Sequence, residues 1–420
     1  MVYSDGDELC NNICYVFQIG GNIVCSVILT KFLGMTGIIL GSVIGNGLGI
    51  LTCFWHFFRK KNTLHFVWHL SFKDFLLTSK YSIVDSSVYI CWGLMDFVMI
   101  GFISRAYGDT GLVALAVVVS LIEFGVVMDG VGMAMQPLIG TYYGEKNHVL
   151  IKRVMKSGFK AAVLEGLIAT GLIFVFAKQF CGLFGIGEGE TLEPSIAAIR
   201  IVCCGFTLCS VVSLTTSYYM LIDRIRMALF FAMLQNGALY ILLPILGSLL
   251  FGINGLWAGF IVAPLLTLIC AYVYVFLRFG KANFPFLLKD IDSDIVVMDD
   301  VLTAEAASAL SERVRVCVES HGYPAKTVSY SALFVEEIGL TILEKNKEMK
   351  KPILFELSLF FEKDSVLIVE RDSGELFDVT DPNAHVKGLS GFSELMKSND
   401  EKAYLVTTGY NRNMIRFSKS

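Results

Sequence analysis

The first 280 residues alternate between apolar runs of membrane length and short polar breaks, a pattern that stops abruptly before the last 120. A helix needs roughly 20 mostly apolar residues to cross the hydrocarbon core. Eight runs meet that length: 13–33, 36–58, 81–104, 111–140, 158–178, 196–219, 227–250 and 253–278. Between the second and third, "NTLHFVWHLSFKDFLL" (62–77) is too polar to span and is expected along the membrane interface. After Gly280, residues 281–300 are acidic and broken by Pro285, as a linker would be. Beyond them the periodicity predicts helices over 303–320 and 326–346. Strands are predicted at "PILFELSLFF", "SVLIVERD" and "AYLVTTGY", with a short tail strand at "NMIRFS". The expected fold class is a polytopic α-helical membrane protein of about eight spans plus a cytoplasmic α/β sandwich domain at 301–420.

Composition strengthens the membrane reading. With 55% hydrophobic residues, 17% charged and a mean hydropathy of +0.63, the chain carries more apolar surface than a soluble core hides. A net charge of −4 gives no reason to expect nucleic acid as a partner. Loop charges alternate: Arg59, Lys60, Lys61, Lys73 and Lys80 in one, Lys146, Lys152, Arg153 and Lys156 in another, Arg224 and Arg226 in a third, against Glu188, Glu190 and Glu193 between them. The positive-inside rule then places both termini in the cytoplasm of a multi-pass inner (plasma) membrane protein. The acidic start "MVYSDGDELCNNIC" lacks the basic flank of a signal peptide. Eleven cysteines fall mostly inside apolar runs, without a CxxC pair or a His/Cys cluster along the chain, and read as buried free thiols rather than disulfides or metal ligands.

One stretch repeats. "LGMTGIILGSVIGNGLGILTCFWHFFRK" (33–60) matches "FGINGLWAGFIVAPLLTLICAYVYVFLRFGK" (251–281), with Gly34, Gly37 and Gly41 on Gly252, Gly255 and Gly259. Duplicated bundles of this kind build many transporters. The layout is that of a complete six-helix bundle (81–280) preceded by a connector (61–80) and by the last two helices of another bundle (1–60). The expectation is therefore a missing front, which roughly 140 upstream residues in frame would supply.

At "GMAMQPLIGTYYGEKN" (132–147) the chain resembles the multidrug and toxic-compound extrusion (MATE) family, in the loop closing the second helix of a half: a Gly, then Gln-Pro, then Tyr-Gly-x-x-Asn. "SRAYGDTGLVALAV" (104–117), "SYYMLIDRIRMALF" (217–230) and "LFGINGLWAGF" (250–260) fit the same second half, so the resemblance covers about 13–280. It implies export of amphipathic organic cations, drugs or lipid-linked compounds, driven by a sodium or proton gradient. The family's twelve helices usually carry a coupling aspartate in the first, which this chain lacks. The acids inside its own apolar runs are Asp96, Glu123, Asp129 and Glu165. An ionised carboxylate mid-membrane costs roughly 2.5–3.5 kcal/mol, so such groups usually face a wet cavity. Asp96, near the middle of its span, and Glu123 are the first candidates for cation coupling, with Asp129, beside Gly130 and Gly132, at an irregular turn. The alternative is acids that only hold helices together. Trp92, Phe97, Phe124, Tyr218, Tyr219 and Trp257 would suit an organic cation through cation–π contact, or would pack helices and face lipid.

In the last domain, "FVEEIGLTILEKN" followed by "VLIVERDSGELFDVTDP" resembles the histidine-kinase-like ATPase fold in its anti-sigma-factor serine-kinase branch, over about 301–417. The resemblance puts Glu337 at the catalytic carboxylate and Asp372, Gly374, Phe377 and Asp378 at the adenine pocket. Thr341 stands where that family has its Mg²⁺-binding Asn, which makes it the candidate metal ligand. Gly388 and Gly391 sit in a shortened lid, one residue too far apart for a Gly-x-Gly that would hold phosphate. ATP and Mg²⁺ are thus expected to bind weakly or not at all, and catalysis is left open. Two readings compete: a cation-coupled transporter whose tail senses nucleotide or docks a cytoplasmic regulatory protein, and a membrane-anchored signalling protein whose ATPase-like domain acts as a serine kinase or partner-binding module.

Overall fold

A computed structural model describes residues 2, 5, 7–59, 62, 64, 71–124, 129–280, 283–285, 288, 294–376, 378, 402–407 and 410–418. The chain forms two compact units, residues 68–291 and residues 1–67 with 292–420.

The helices of the first unit are α3 (Phe72–Phe124), α4 (Gly130–Gly144), α5 (His148–Val175), α6 (Ala177–Leu183), α7 (Leu192–Cys203), α8 (Phe206–Leu221), α9 (Ile225–Met233) and α10 (Tyr240–Phe279); a π-helical turn over Leu234–Leu239 joins the last two. The second unit opens with α1 (Glu8–Leu33) and α2 (Met35–Phe54). Among the described residues five helices are long and apolar enough to cross a membrane, or six if α7 and α8, bent by 43°, form one span. Eight expected runs stand against these five or six; two of the helices, Ser82–Glu123 and Ile225–Phe279, are 42 and 55 residues long, beyond one crossing, and each counts once. Each breaks at a glycine: Gly108 has φ 64°, ψ −152°, and Gly252 has φ 67°, ψ −153°. Gly34, between α1 and α2, adopts nearly the same conformation at φ 57°, ψ −137°. That region is open to glycine and closed to side chains. All three glycines open a Gly-x-x-Gly: 34–37, 108–111 and 252–255. The second glycine admits the returning helix, since a Cβ on Gly255 would lie 2.1 Å from the Gly247 carbonyl oxygen and one on Gly37 2.4 Å from the Leu29 backbone.

Several boundaries differ from expectation. Phe72–Leu77, read as interfacial, belongs to the first turns of α3, while 65–70 lie outside the described residues. The fourth run is helical to Phe124 and again from Gly130 to Gly144, with 125–128 not described. α5 begins ten residues before the expected 158, because Asn147 caps it by accepting from the Leu150 N–H at 3.1 Å.

In the α1–α2 hairpin, Gly37, Gly41, Gly45 and Gly49 recur every four residues and form one buried face of α2. Where lipid removes the hydrophobic drive between helices, such small-residue faces bring backbones together. A polar seam follows the contact: Ser42 donates to Asn22 Oδ1 (3.3 Å), and Gln18 Nε2 donates to Asn46 Oδ1 (2.7 Å).

The C-terminal part of that unit is a five-stranded antiparallel sheet with helices α11 (Ala304–Ser320) and α12 (Ala325–Lys345). Its strands are β1 (Ile295–Val301), β2 (Leu354–Phe361), β3 (Ser365–Asp372), β4 (Lys402–Thr407) and β5 (Tyr410–Ser418), in the order β1-β2-β3-β5-β4. The expected linker 281–300 is therefore wrong in its second half: "IVVMDDV" is an edge strand paired with β2. Its two aspartates lowered its strand propensity, and on an edge they stay exposed. The core joins Phe334, Val335 and Ile338 of α12 to Phe355, Leu357, Val366, Ile368, Ile415 and Phe417 of the sheet.

Candidate functional site

Within residues 68–291 a cavity of about 480 Å³ opens between α3, the start of α4, α7 to α9, the π turn and α10. Asp85, Tyr89 and Trp92 line it from α3 at spacings of four and three, hence from one helical face. Asp129 enters from the residue just before α4 and accepts a hydrogen bond from Ser213 Oγ of α8 at 2.5 Å. The π turn inserts an extra residue, a device common at functional sites, and so turns both Gln235 and Asn236 toward the cavity. Trp92 Nε1 donates to Asn236 Oδ1 at 3.0 Å, and Gln235 Nε2 donates to the Tyr240 hydroxyl at 3.3 Å. Behind the wall, Glu165 of α5 accepts from Ser210 Oγ at 3.3 Å and stands 3.4 Å from where a Cβ of Gly130 would be.

The three candidate acids lie in different surroundings. Asp129 faces the cavity. Asp96, one turn beyond Trp92, is half-buried, with one buried carboxylate oxygen lacking a hydrogen-bond partner, and is not among the lining residues. Glu123 is exposed, within electrostatic reach of Asp96. The sequence reading missed Asp85, Gln136 and the Gln235–Asn236 pair. Asp85 left a signal, because it continues the stripe of Trp92 and Asp96 toward the start of its span.

In the sheet domain Asp372 ends β3 and accepts from the Gly374 N–H two residues on. On the helix-facing side of β3, Val366 and Ile368 give way to Glu370 and Asp372; on β5, Phe417 and Ile415 give way to Asn413 and Asn411 in register. All four polar residues are fully buried. Asn413 Nδ2 donates to Glu370 Oε2 (2.7 Å), and Asn411 Nδ2 (3.0 Å) and the Gly374 N–H (2.7 Å) donate to Asp372 Oδ1. Glu370 Oε1 and Asp372 Oδ2 are buried with no donor in place, and a proton held by Glu370 and donated to Asp372 satisfies both. Burial first, then the Asp372 charge, pushes the Glu370 carboxyl well above its ordinary range. Burial also raises Asp372, against the pull of Asn411 and the Gly374 backbone. Glu337 is half-buried, and burial together with Glu336 raises its carboxyl. Thr341 is fully buried, and its hydroxyl donates to the Glu337 carbonyl at 2.7 Å. Phe377, Gly388 and Gly391 lie outside the described residues.

The carboxyl pair gives a pH dependence with a definite sign. Because Glu370 is raised when folded, its stabilising effect is complete below the unfolded value near 4.5 and is lost as pH rises through the folded value. Glu370→Gln keeps an acceptor for Asn413 and supplies a permanent donor to Asp372. It should stabilise the domain by about 1–3 kcal/mol at neutral pH, because the amide needs no proton taken up on folding while the raised Glu370 carboxyl does. Thermal unfolding of residues 294–420 across pH 4.5–8 checks this; parallel curves for the two proteins would refute the shared proton.

The MatE family profile matches residues 87–246. No curated protein sequence matches the chain. Among solved structures, an outward-facing multidrug resistance MATE family transporter of the MOP superfamily superposes with TM-score 0.57 at 18% identity, over 63% of this chain and 61% of that one. A MOP superfamily transporter from Pyrococcus furiosus, whose binding pocket is described as reversed in polarity and suggestive of a different function, gives TM-score 0.56 at 17% identity, over 63% and 61%. A MATE structure in the bent conformation gives 0.54 at 18%, over 65% and 62%. Identities this low establish a shared fold, and the chain spans about three fifths of the length of these structures.

Proposed function

We propose, from the MATE fold of the helical part, that the chain is a cation-coupled transporter of amphipathic organic cations in the inner (plasma) membrane, with both termini cytoplasmic. The observation that carries the reading is the 480 Å³ cavity, which combines two carboxylates, Asp85 and Asp129, with the rings of Tyr89 and Trp92. A carboxylate in a low-dielectric cavity gains from any cation that reaches it, whether proton, sodium or substrate, and competition among these is the basis of exchange. The aromatic faces add attraction for an organic cation that a small hydrated ion cannot use. Asp129 is the proposed coupling group, because Ser213 fixes it at the wall. Cells of a sensitised host expressing the chain should lose a fluorescent organic cation faster than vector controls. Collapsing the proton and sodium gradients separately identifies the coupling ion, and an unchanged rate would end the transport reading.

The sheet domain we read as a sensing or docking module rather than a phosphoryl-transfer enzyme. Buried Asp372 with Gly374 supports a purine-type pocket, while Thr341, turned into its own helix, argues against metal-assisted chemistry. Absence of Mg²⁺–ATP binding to the full chain by calorimetry at millimolar nucleotide would leave only docking of a cytoplasmic partner.

A further inference from the structure

We propose that the open end of the α1–α2 hairpin is a binding site for a thiophilic metal ion of the zinc class, held by Cys10, Cys14, Cys53 and His56. These residues are scattered along the sequence; the hairpin gathers Cys10 and His56 with Asp7 in one group and Cys14 with Cys53 in a neighbouring pair that packs against Cys10. Cys10 and Cys14 are four apart on α1 and share a face. Cys53 lies in the last turn of α2, and His56 follows three residues later in a single 3₁₀ turn, Trp55–Phe58. The Cys14 and Cys53 sulfurs lie 3.3 Å apart, and Cys10 Sγ reaches the Thr52 carbonyl at 3.9 Å. Ligand atoms of Asp7, Cys10 and His56 lie within 4.8 Å of one another. Cys10 and His56 are fully buried, and Cys14 is 5% exposed.

The imidazole carries a carboxylate on each ring nitrogen, and one of the two would have to yield to the metal. Its Nε2 is 2.7 Å from the Asp5 carboxylate, which fixes ring orientation and tautomer, as the outer carboxylate of a carboxylate–histidine–zinc triad does. Its Nδ1 lies 3.0 Å from Asp7 Oδ2, a contact that metal binding at this nitrogen would displace. Asp7 is the poorer fourth ligand: it caps α1 through the Cys10 N–H (3.3 Å) and pairs with Arg59 Nη1 at 2.6 Å. Three sulfurs and one nitrogen match the Cys₃His set of structural zinc sites, and soft thiolates select this class of ion over calcium or magnesium. Tetrahedral bonds of about 2.3 Å place sulfurs roughly 3.8 Å apart, so the Cys14–Cys53 pair need open only slightly. A simple Cys14–Cys53 disulfide would account for neither Cys10 nor the Asp5-oriented ring. The ion would join the two helix ends opposite the Gly34 turn.

The test uses full-length, tag-free protein in detergent, reduced and stripped with chelator, then titrated with Co²⁺. One Co²⁺ per chain with a thiolate-to-cobalt charge-transfer band is expected, displaced by Zn²⁺ and weakening as pH falls, because the thiols must lose protons to bind. Asp5→Asn should weaken binding about 10–100-fold, and the triple variant Cys10→Ser, Cys14→Ser, Cys53→Ser should lose the band. Cys204→Ser, a change at an exposed thiol of the other unit, should leave it intact. In the wild-type chain Zn²⁺ should also shield Cys10, Cys14 and Cys53 from alkylation while Cys204 stays reactive. That readout needs no variant to fold. Absence of the band, shielding that does not discriminate among cysteines, or metal-free protein isolated as a Cys14–Cys53 disulfide would each overturn the site.

Discussion

Asp129→Asn should lower efflux of a fluorescent organic cation about 100-fold, with the protein still present in the membrane at normal abundance. The amide keeps an acceptor for Ser213 Oγ, so the wall of the cavity is retained while the charge is removed. Charge at membrane depth is worth roughly 2.5–3.5 kcal/mol, and each 1.4 kcal/mol is a factor of ten. Asp85→Asn, across the same cavity, should cost less, because no anchoring hydroxyl fixes its position in the way Ser213 fixes Asp129. Glu123→Gln, at an exposed position, should leave the rate within about twofold, the scale of most surface changes. The measurement is initial efflux rate normalised to membrane abundance. Wild-type rates in Asp129→Asn combined with loss in Asp96→Asn would return the coupling role to the residue favoured by the sequence.

The second large effect concerns the hairpin. Gly45→Leu should separate α1 from α2, because its Cβ alone would stand 2.6 Å from the Asn22 backbone nitrogen. Backbone does not yield as a flexible side chain does, so the helices must move apart. Overpacking costs about 1–3 kcal/mol, and each interhelical hydrogen bond lost from the Asn22–Ser42 and Gln18–Asn46 seam adds roughly 0.6. The native Cys14–Cys53 pair reports the result: in reduced, chelator-stripped protein, mild oxidation should cross-link the wild-type helices quickly and the variant at least tenfold more slowly. Equal rates would mean that the glycine face does not set the helix separation.

What the sequence revealed, and what it hid, follows the range of the interactions involved. The periodicity of α11, α12 and β3 is local, and their boundaries fall within a residue or so of the structure. β1 was hidden because an edge strand with two aspartates resembles a linker until β2 is there to pair with it. The start of α5 was hidden because Lys152, Arg153 and Lys156 break its apolar run while its cap holds the helix. The candidate site was legible only as a set of acids. Which of them shares a cavity depends on where α8 and the π turn lie, and no spacing along the chain encodes that. The same limit explains why Cys10, Cys14, Cys53 and His56 looked like scattered thiols and an isolated imidazole.

The Gly-x-x-Gly turns bear on how the chain is made. A connection this short cannot let one helix settle in the bilayer while its neighbour waits in the ribosomal exit path. The pairs joined at Gly34, Gly108 and Gly252 must leave the insertion machinery as already folded hairpins. Each hairpin carries its orientation with it.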